Sequence, residues 1–154
     1  MFVKRAAALL SAGLPDRMTE RYRFAVENAV GVAERTNCET IEVTHLLAGL
    51  LGIKDGIAYH VLKNLGFELE TFTEQLLQFP RLHAVSKNET SNDAIDAIHM
   101  SVDWVRRFGH SKLDTEHLLL GLIENKTIEL MFLGCGVKPT DIGHEIRGLH
   151  GLLP

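Results

Sequence analysis

The chain has 154 residues, with 16 Lys and Arg against 20 Asp and Glu and a net charge of -4; 45% of it is apolar and 23% charged. These proportions describe one globular domain of ordinary size, or two small halves sharing a core, and exclude collagen-like, low-complexity and disulfide-scaffold chains. They lack the basic excess that binding to a phosphate backbone requires, so no nucleic acid is expected, and with 6% aromatics a base-stacking platform is not expected either.

In chain order, MFVKR is followed by the apolar run AAALLSAGL, about half of the roughly 20 residues needed to span a bilayer. No membrane partner is therefore expected. A basic start and a short apolar stretch are also features of a leader, but a lightly docked helix ending at Gly13-Leu14-Pro15 is the favoured reading. Residues 1–17 are set apart as an N-terminal extension. From Glu20 to Thr36 a helix is predicted, with Thr19 as N-cap and Phe24, Ala25, Asn28, Ala29 and Val32 as its inward stripe. THLLAGLL, Thr44 to Leu51, is apolar nearly all round, the mark of a buried helix. A third helix spans about Gly56 to Leu65 and stops at Gly66; a fourth spans about Glu70 to Gln78. The largely polar Phe79 to Thr90, with Pro80, reads as a linker.

The pattern then recurs. A helix runs from a Ser91 cap to Phe108, with Ala94, Ala97, Ile98, Val102 and Val105 inward. EHLLLGLI (Glu116 to Ile123) is a second buried helix, for which Thr115 is the expected cap, although Val43 holds the matching place in the first copy. Helices follow from Thr127 to Cys135, stopped by Gly136, and from Pro139, a good first-turn residue, to Arg147. No period-two strand pattern occurs, so the expected class is all-α.

A shift of 72 residues superposes His45 on His117, Leu46 on Leu118, Leu47 on Leu119, Gly49 on Gly121 and Leu50 on Leu122, and also matches Ala25 to Ala97, Val30 to Val102 and Arg35 to Arg107. Beyond Asn64 the shift becomes 70 residues. The expectation is a domain over 18–150 made of two tandem four-helix repeats, about 18–78 and 91–148, joined by the linker 79–90 and packed about a pseudo-twofold axis.

This duplicated unit, with DTEHLLLGLIE (Asp114 to Glu124) preceded by RRFGHSKL (Arg106 to Leu113), resembles the Clp repeat domain, the N-terminal domain of the Clp family of AAA+ unfoldases, over roughly Met18 to Gly148. The resemblance implies an all-α, non-catalytic protein-binding module that receives substrates and adaptor proteins, while separate ATPase domains unfold the substrate. No GxxxxGK[ST] loop is present to cradle phosphates, GCGVKPT being a lone GxG at a helix end, so no nucleotide or other cofactor is expected. A free-standing repeat domain follows as the expectation, similar to the accessory proteins of some Clp systems. Its partners would be protein substrates or adaptors, or a Clp AAA+ unfoldase or protease subunit. In some members each copy binds a phosphorylated arginine, the phosphate lying near a Thr at the N-terminus of the first helix and the guanidinium on the Glu of the TEH motif. Carried over, the second copy offers Ser91 and Glu116, whereas the first has Thr19 but Thr44 in place of the acid. Asp93 would repel the phosphate in the second copy. The plainer alternative makes Ser91 a helix cap and Glu116 a first-turn acid favoured by the helix dipole.

The eight histidines show no ligand spacing and no HExxH, so no metal is expected. His45 and His117, at equivalent places, imply a shared structural role. Cys38 and Cys135 form no CxxC, which favours a reducing, cytoplasmic setting. Cys135 aligns with Leu65 and is expected to be buried; Cys38 aligns with His110 in a loop, where no base for a nucleophile is evident. Two rival readings remain: a small hydrolase-like enzyme using Glu116 with a histidine, and an orphan peptide-binding domain unrelated to proteolysis.

Overall fold

The computed structural model describes residues 17–78 and 92–150. Residues 1–16 of the expected extension, the linker 79–90 and the Ser91 cap lie outside the described residues. The described chain forms α1 (Glu20–Arg35), α2 (Val43–Leu51), α3 (Ile57–Asn64), α4 (Leu69–Leu77), α5 (Asn92–Phe108), α6 (Thr115–Ile123), α7 (Lys126–Gly134) and α8 (Pro139–Leu149). The class is all-α, as two four-helix units in tandem.

Helix α1 begins where expected, because the Thr19 hydroxyl accepts the Tyr22 N–H at 3.1 Å and so satisfies one of the orphan donors of the first turn. Its buried stripe is rotated from the predicted one. Tyr22, Ala25, Val26, Ala29, Val30, Val32 and Ala33 face inward, whereas Phe24 is 50% exposed and Asn28 lies at the exposed edge of the stripe, its amide donating to the Gly49 carbonyl at 3.4 Å. The cause is the close crossing of α1 and α2. A Cβ added at Gly49 would collide with the Ala25 carbonyl and the Ala29 backbone, so the crossing face of α1 must carry small residues and has no room for a phenyl ring. The second copy repeats the device: Gly121 lies against Ala97 and Ser101, with Ala94, Ala97, Ile98 and Ser101 buried and Val102 and Val105 half-buried.

Helices α1 and α5 also end alike. Asn37 (φ 55°) and Gly109 (φ 68°) occupy the left-handed region that Gly and Asn tolerate best. The next N–H reaches back, from Cys38 to the Ala33 carbonyl at 2.8 Å and from His110 to the Val105 carbonyl at 3.0 Å. This turn brings residues 38 and 110 back toward the start of the following helix, where the candidate site lies.

Helices α2 and α6 form the centre. All of α6 and all of α2 except Thr44 are buried, Leu46 and Leu118 equally so. Around them α3 packs on α8, and Phe67 and Phe72 meet Phe132 of α7, the Phe72 and Phe132 rings stacking at 5.6 Å. The copies are also tied through backbone: Met18 and Leu113 pair, and Thr19 N–H donates to the Leu113 carbonyl at 2.9 Å. No helix among the described residues is long and apolar enough to cross a membrane.

Candidate functional site

The caps of the two central helices are Glu42 and Asp114, not Val43 and Thr115. Thr115 is already the first helical residue and is fully buried, its hydroxyl 3.4 Å from the Ala58 N–H. Asp114, in extended backbone, accepts the Thr115 N–H at 2.7 Å instead. In both copies the third helical residue is a histidine that closes the cap from the other side. The N–H groups of Glu42 and Asp114 donate to Nδ1 of His45 and His117, each at 2.9 Å.

This contact fixes the tautomer. A neutral ring whose Nδ1 accepts carries its proton on Nε2. The Nε2–H of His45 therefore donates to Cys38 Sγ at 3.0 Å, and that of His117 to Nδ1 of His110 at 2.8 Å. Cys38 is thus buried against a histidine, but the nitrogen facing the sulfur is already protonated and does not serve as its base. Cys135, expected to be buried, is exposed: it caps the C-terminus of α7, and Phe132 and Val137 on either side of it make the core contacts.

Glu116 is 3% exposed. Its Oε1 lies 3.2 Å from Nε2 of His150, which closes α8, but Oε2 and that nitrogen both lack a hydrogen-bond partner. Burial pushes the Glu116 carboxyl up to about 7; the neighbouring Asp114 adds to the rise, while the helix N–H and Arg21 oppose it. Burial, then His110, holds His117 down to about 4 and lowers His150 as well. Desolvation thus acts against charge on both members, and the Glu116–His150 contact is a close approach of largely neutral groups rather than a strong ion pair. His110 completes the cluster: its ring centroid is 4.7 Å from that of His150 and 5.0 Å from that of His117, and the Phe108 ring packs on all three imidazoles at 5.3–6.1 Å.

Of the predicted site residues, Thr19 is the α1 cap and borders a polar cleft with Arg21, Arg23, Asp55 and Lys112. Its segment meets the one before Glu116 through the Leu113 backbone bond, and Arg21 pairs with Asp114 at 3.4 Å. The first copy's cap is in this way tied to the second copy's acid. Ser91 lies outside the described residues.

A second feature was not foreseen. A cavity of about 350 Å³ opens between α5, α6 and α8, lined mainly by apolar surface from Trp104, Leu120, Ile123, Pro139 and Gly143, with Glu124, His144 and Arg147 on its rim. Trp104 donates to Glu124 at 3.3 Å, and the Arg107 guanidinium lies 4.7 Å over its ring. The matching positions of the first copy are Val32, Ala48, Leu51, Leu69 and Thr73, of which the first four are buried. The groove therefore distinguishes the second copy from the first. The single Trp of the chain was the available sequence signal, since its counterpart is a valine.

Residues 17–126 match the family of the Clp repeat (R) N-terminal domain. The chain belongs to this family. Chaperone protein ClpB of Oceanobacillus iheyensis is 34% identical to it over 112 residues, covering 70% of this chain but 14% of ClpB. The chain thus spans about a seventh of that relative's length. Among solved structures, the Hsp104 N-terminal domain of Candida albicans aligns with TM-score 0.74 at 18% identity, covering 90% of this chain and 94% of that one. The ClpV N-domain in complex with a VipB peptide aligns with TM-score 0.68 at 14% identity, covering 88% and 84%. At these identities the structural likeness concerns the fold. Within the Clp repeat, the paired His45 and His117 caps are scaffold, and the groove and the His110, Glu116 and His150 cluster are what the second copy adds.

Proposed function

We propose that this Clp repeat chain is a non-catalytic protein-binding module, an accessory or substrate- and adaptor-recognition factor of a Clp-type chaperone–protease system, working in the reducing cytoplasm. The observation that carries the reading is the groove between α5, α6 and α8: an apolar floor with a half-buried Trp and charged residues of both signs on its rim. Grooves of this composition take an apolar side chain or helix turn from a partner while the rim selects its flanks. Support also comes from the family, and from a structural relative, ClpV, whose N-domain is known in complex with a peptide.

The reading of Ser91 and Glu116 as the second copy's phosphoarginine contact, with Thr19 at the first copy's helix start where Thr44 replaces the acid, is a narrower form of the same proposal. Thr19 borders a cleft with three basic side chains, Arg21, Arg23 and Lys112. Glu116 is turned inward on His150, which favours its role as a buried first-turn acid over contact with an incoming guanidinium. A hydrolase pairing Glu116 with His117 finds less support, since the lone pair on Nδ1 of His117 is held by the helix cap and a general base needs a free one.

Gly143 faces the groove with nothing within 4 Å of where a Cβ would stand, so Gly143→Gln fills the groove without disturbing the backbone. Co-isolation from the protein's own cells should enrich Clp unfoldase or protease subunits, or their substrates, with wild type and lose them with Gly143→Gln. Equal recovery with both proteins would sink the groove as the binding surface.

A further inference from the structure

The pseudo-twofold supplies an internal control. Groups present at equivalent places in both copies serve the repeat itself, and His45 and His117 do so as matched helix caps. Setting these aside leaves the second copy with His110 where the first has Cys38, Glu116 where it has Thr44, and His150 at the end of α8. One nitrogen from each of these histidines and one Glu116 oxygen lie within 4.8 Å of one another. The carboxylate is almost wholly buried, and neither its Oε2 nor Nε2 of His150 has a hydrogen-bond partner. Buried polar atoms are ordinarily satisfied, so two orphans converging on one point call for a missing partner.

We propose that His110, Glu116 and His150 form a binding site for one divalent transition-metal ion of the zinc type. Two imidazoles and a carboxylate are a donor set that zinc takes in tetrahedral geometry, with water in the fourth place. Oxygen-preferring Mg²⁺ and Ca²⁺ suit it poorly. The 3.2 Å between Nε2 of His150 and Oε1 of Glu116 is close to the edge of a tetrahedron whose ligands stand about 2.0–2.1 Å from the ion. His110 brings the constraint. Its Nδ1 accepts from His117, so its proton sits on Nε2 and the available lone pair is the one His117 engages. The ion displaces that hydrogen bond, and metal binding and the His117–His110 contact exclude one another. The Phe108 ring against all three imidazoles limits their rotation and shields the site from water.

The test uses the full, tag-free chain stripped with a chelator, in a Cys135→Ser background so that the exposed thiol binds nothing. It is titrated with Zn²⁺ by calorimetry and with Co²⁺ by visible absorption. One ion per chain is expected, with a tetrahedral cobalt spectrum. His110→Gln, Glu116→Gln and His150→Gln should each weaken binding by about 100-fold or more, whereas His99→Gln, on the exposed face of α5, should change nothing. His150 only caps a helix end, so His150→Gln folds and decides the matter even where a core variant does not. Absence of saturable binding by wild type, or binding that survives His150→Gln, overturns the proposal.

Discussion

Glu116 and His117 are neighbours in sequence whose burial costs act in opposite senses over overlapping ranges of pH. In the chelated, metal-free chain the Glu116 carboxyl titrates near 7 in the fold against an ordinary value of 4.5. The folded state thus holds the extra proton between those values, and stability falls as pH rises from 4.5 to 7. His117 titrates near 4 against an ordinary 6.5. There the unfolded chain holds the extra proton, and stability falls as pH drops from 6.5 to 4. His150, lowered by burial and by His110, adds to the acid side. Asp114 and Arg21 face the same cluster with opposite effects on Glu116. Between pH 4.5 and 6.5 the two slopes nearly cancel, so the chelated chain should have a broad plateau there, the Glu116 loss continuing above it and the His117 loss below it. Glu116→Gln should remove the alkaline limb, raising stability at pH 8 by up to about 3 kcal/mol and leaving it unchanged near pH 4. Urea unfolding of both proteins across pH checks this, and a wild type as stable as Glu116→Gln at pH 8 would count against it. At this scale the sequence was least legible. Glu116 stood out through the TEH motif, but its partners His110 and His150 are brought to it by a left-handed turn and by the end of α8, which no ligand spacing along the chain betrays.

At the scale of helices, glycines in apparently similar helical settings divide into two kinds. Gly121 touches Ala97 and Ser101 across the α5–α6 crossing, as Gly49 touches Ala25 and Ala29 across α1–α2. A methyl there must push the helices apart, and Gly121→Ala or Gly49→Ala is expected to cost about 1–3 kcal/mol. Gly143 has open space beyond its Cα, so Gly143→Ala should stabilise by about 0.5–1 kcal/mol through helix propensity alone. Thermal denaturation of the variants would show opposite shifts; the same sign for all of them would mean that the crossings are looser than described. Helices and their stops were readable because the apolar period and the helix-ending glycines are local signals: Gly66 and Gly136 both end helices with positive φ. The cap of α6 was misplaced by one residue because Thr115 resembles a cap in sequence, while tertiary packing buries its side chain and gives the capping role to Asp114. The α1 face was rotated for a related reason, since the close approach at Gly49 belongs to a helix pair rather than to either helix.

At the scale of the molecule, duplication made the architecture legible: the alignment of HLLAGL on HLLLGL predicted two equivalent buried helices at the centre, and Leu46 and Leu118 are equally buried there. What symmetry concealed was the departure from it. Trp104 in place of Val32, Gly143 in place of Thr73 and Pro139 in place of Leu69 open a groove in one copy where the other is filled with aliphatic side chains. That asymmetry is the basis for regarding the second copy as the binding face and the first as its support. Because the chain's one Trp lines the groove, its fluorescence reports occupancy directly. The decisive measurement is a Trp104 fluorescence titration with an unfolded polypeptide, run on wild type and Gly143→Gln, with peptide-bond cleavage followed in the same samples. Binding through the groove predicts a saturable spectral shift for wild type, none for the filled variant, and no cleavage in either. A shift that is unchanged by Gly143→Gln, or turnover of the polypeptide by the pure chain, would contradict the account.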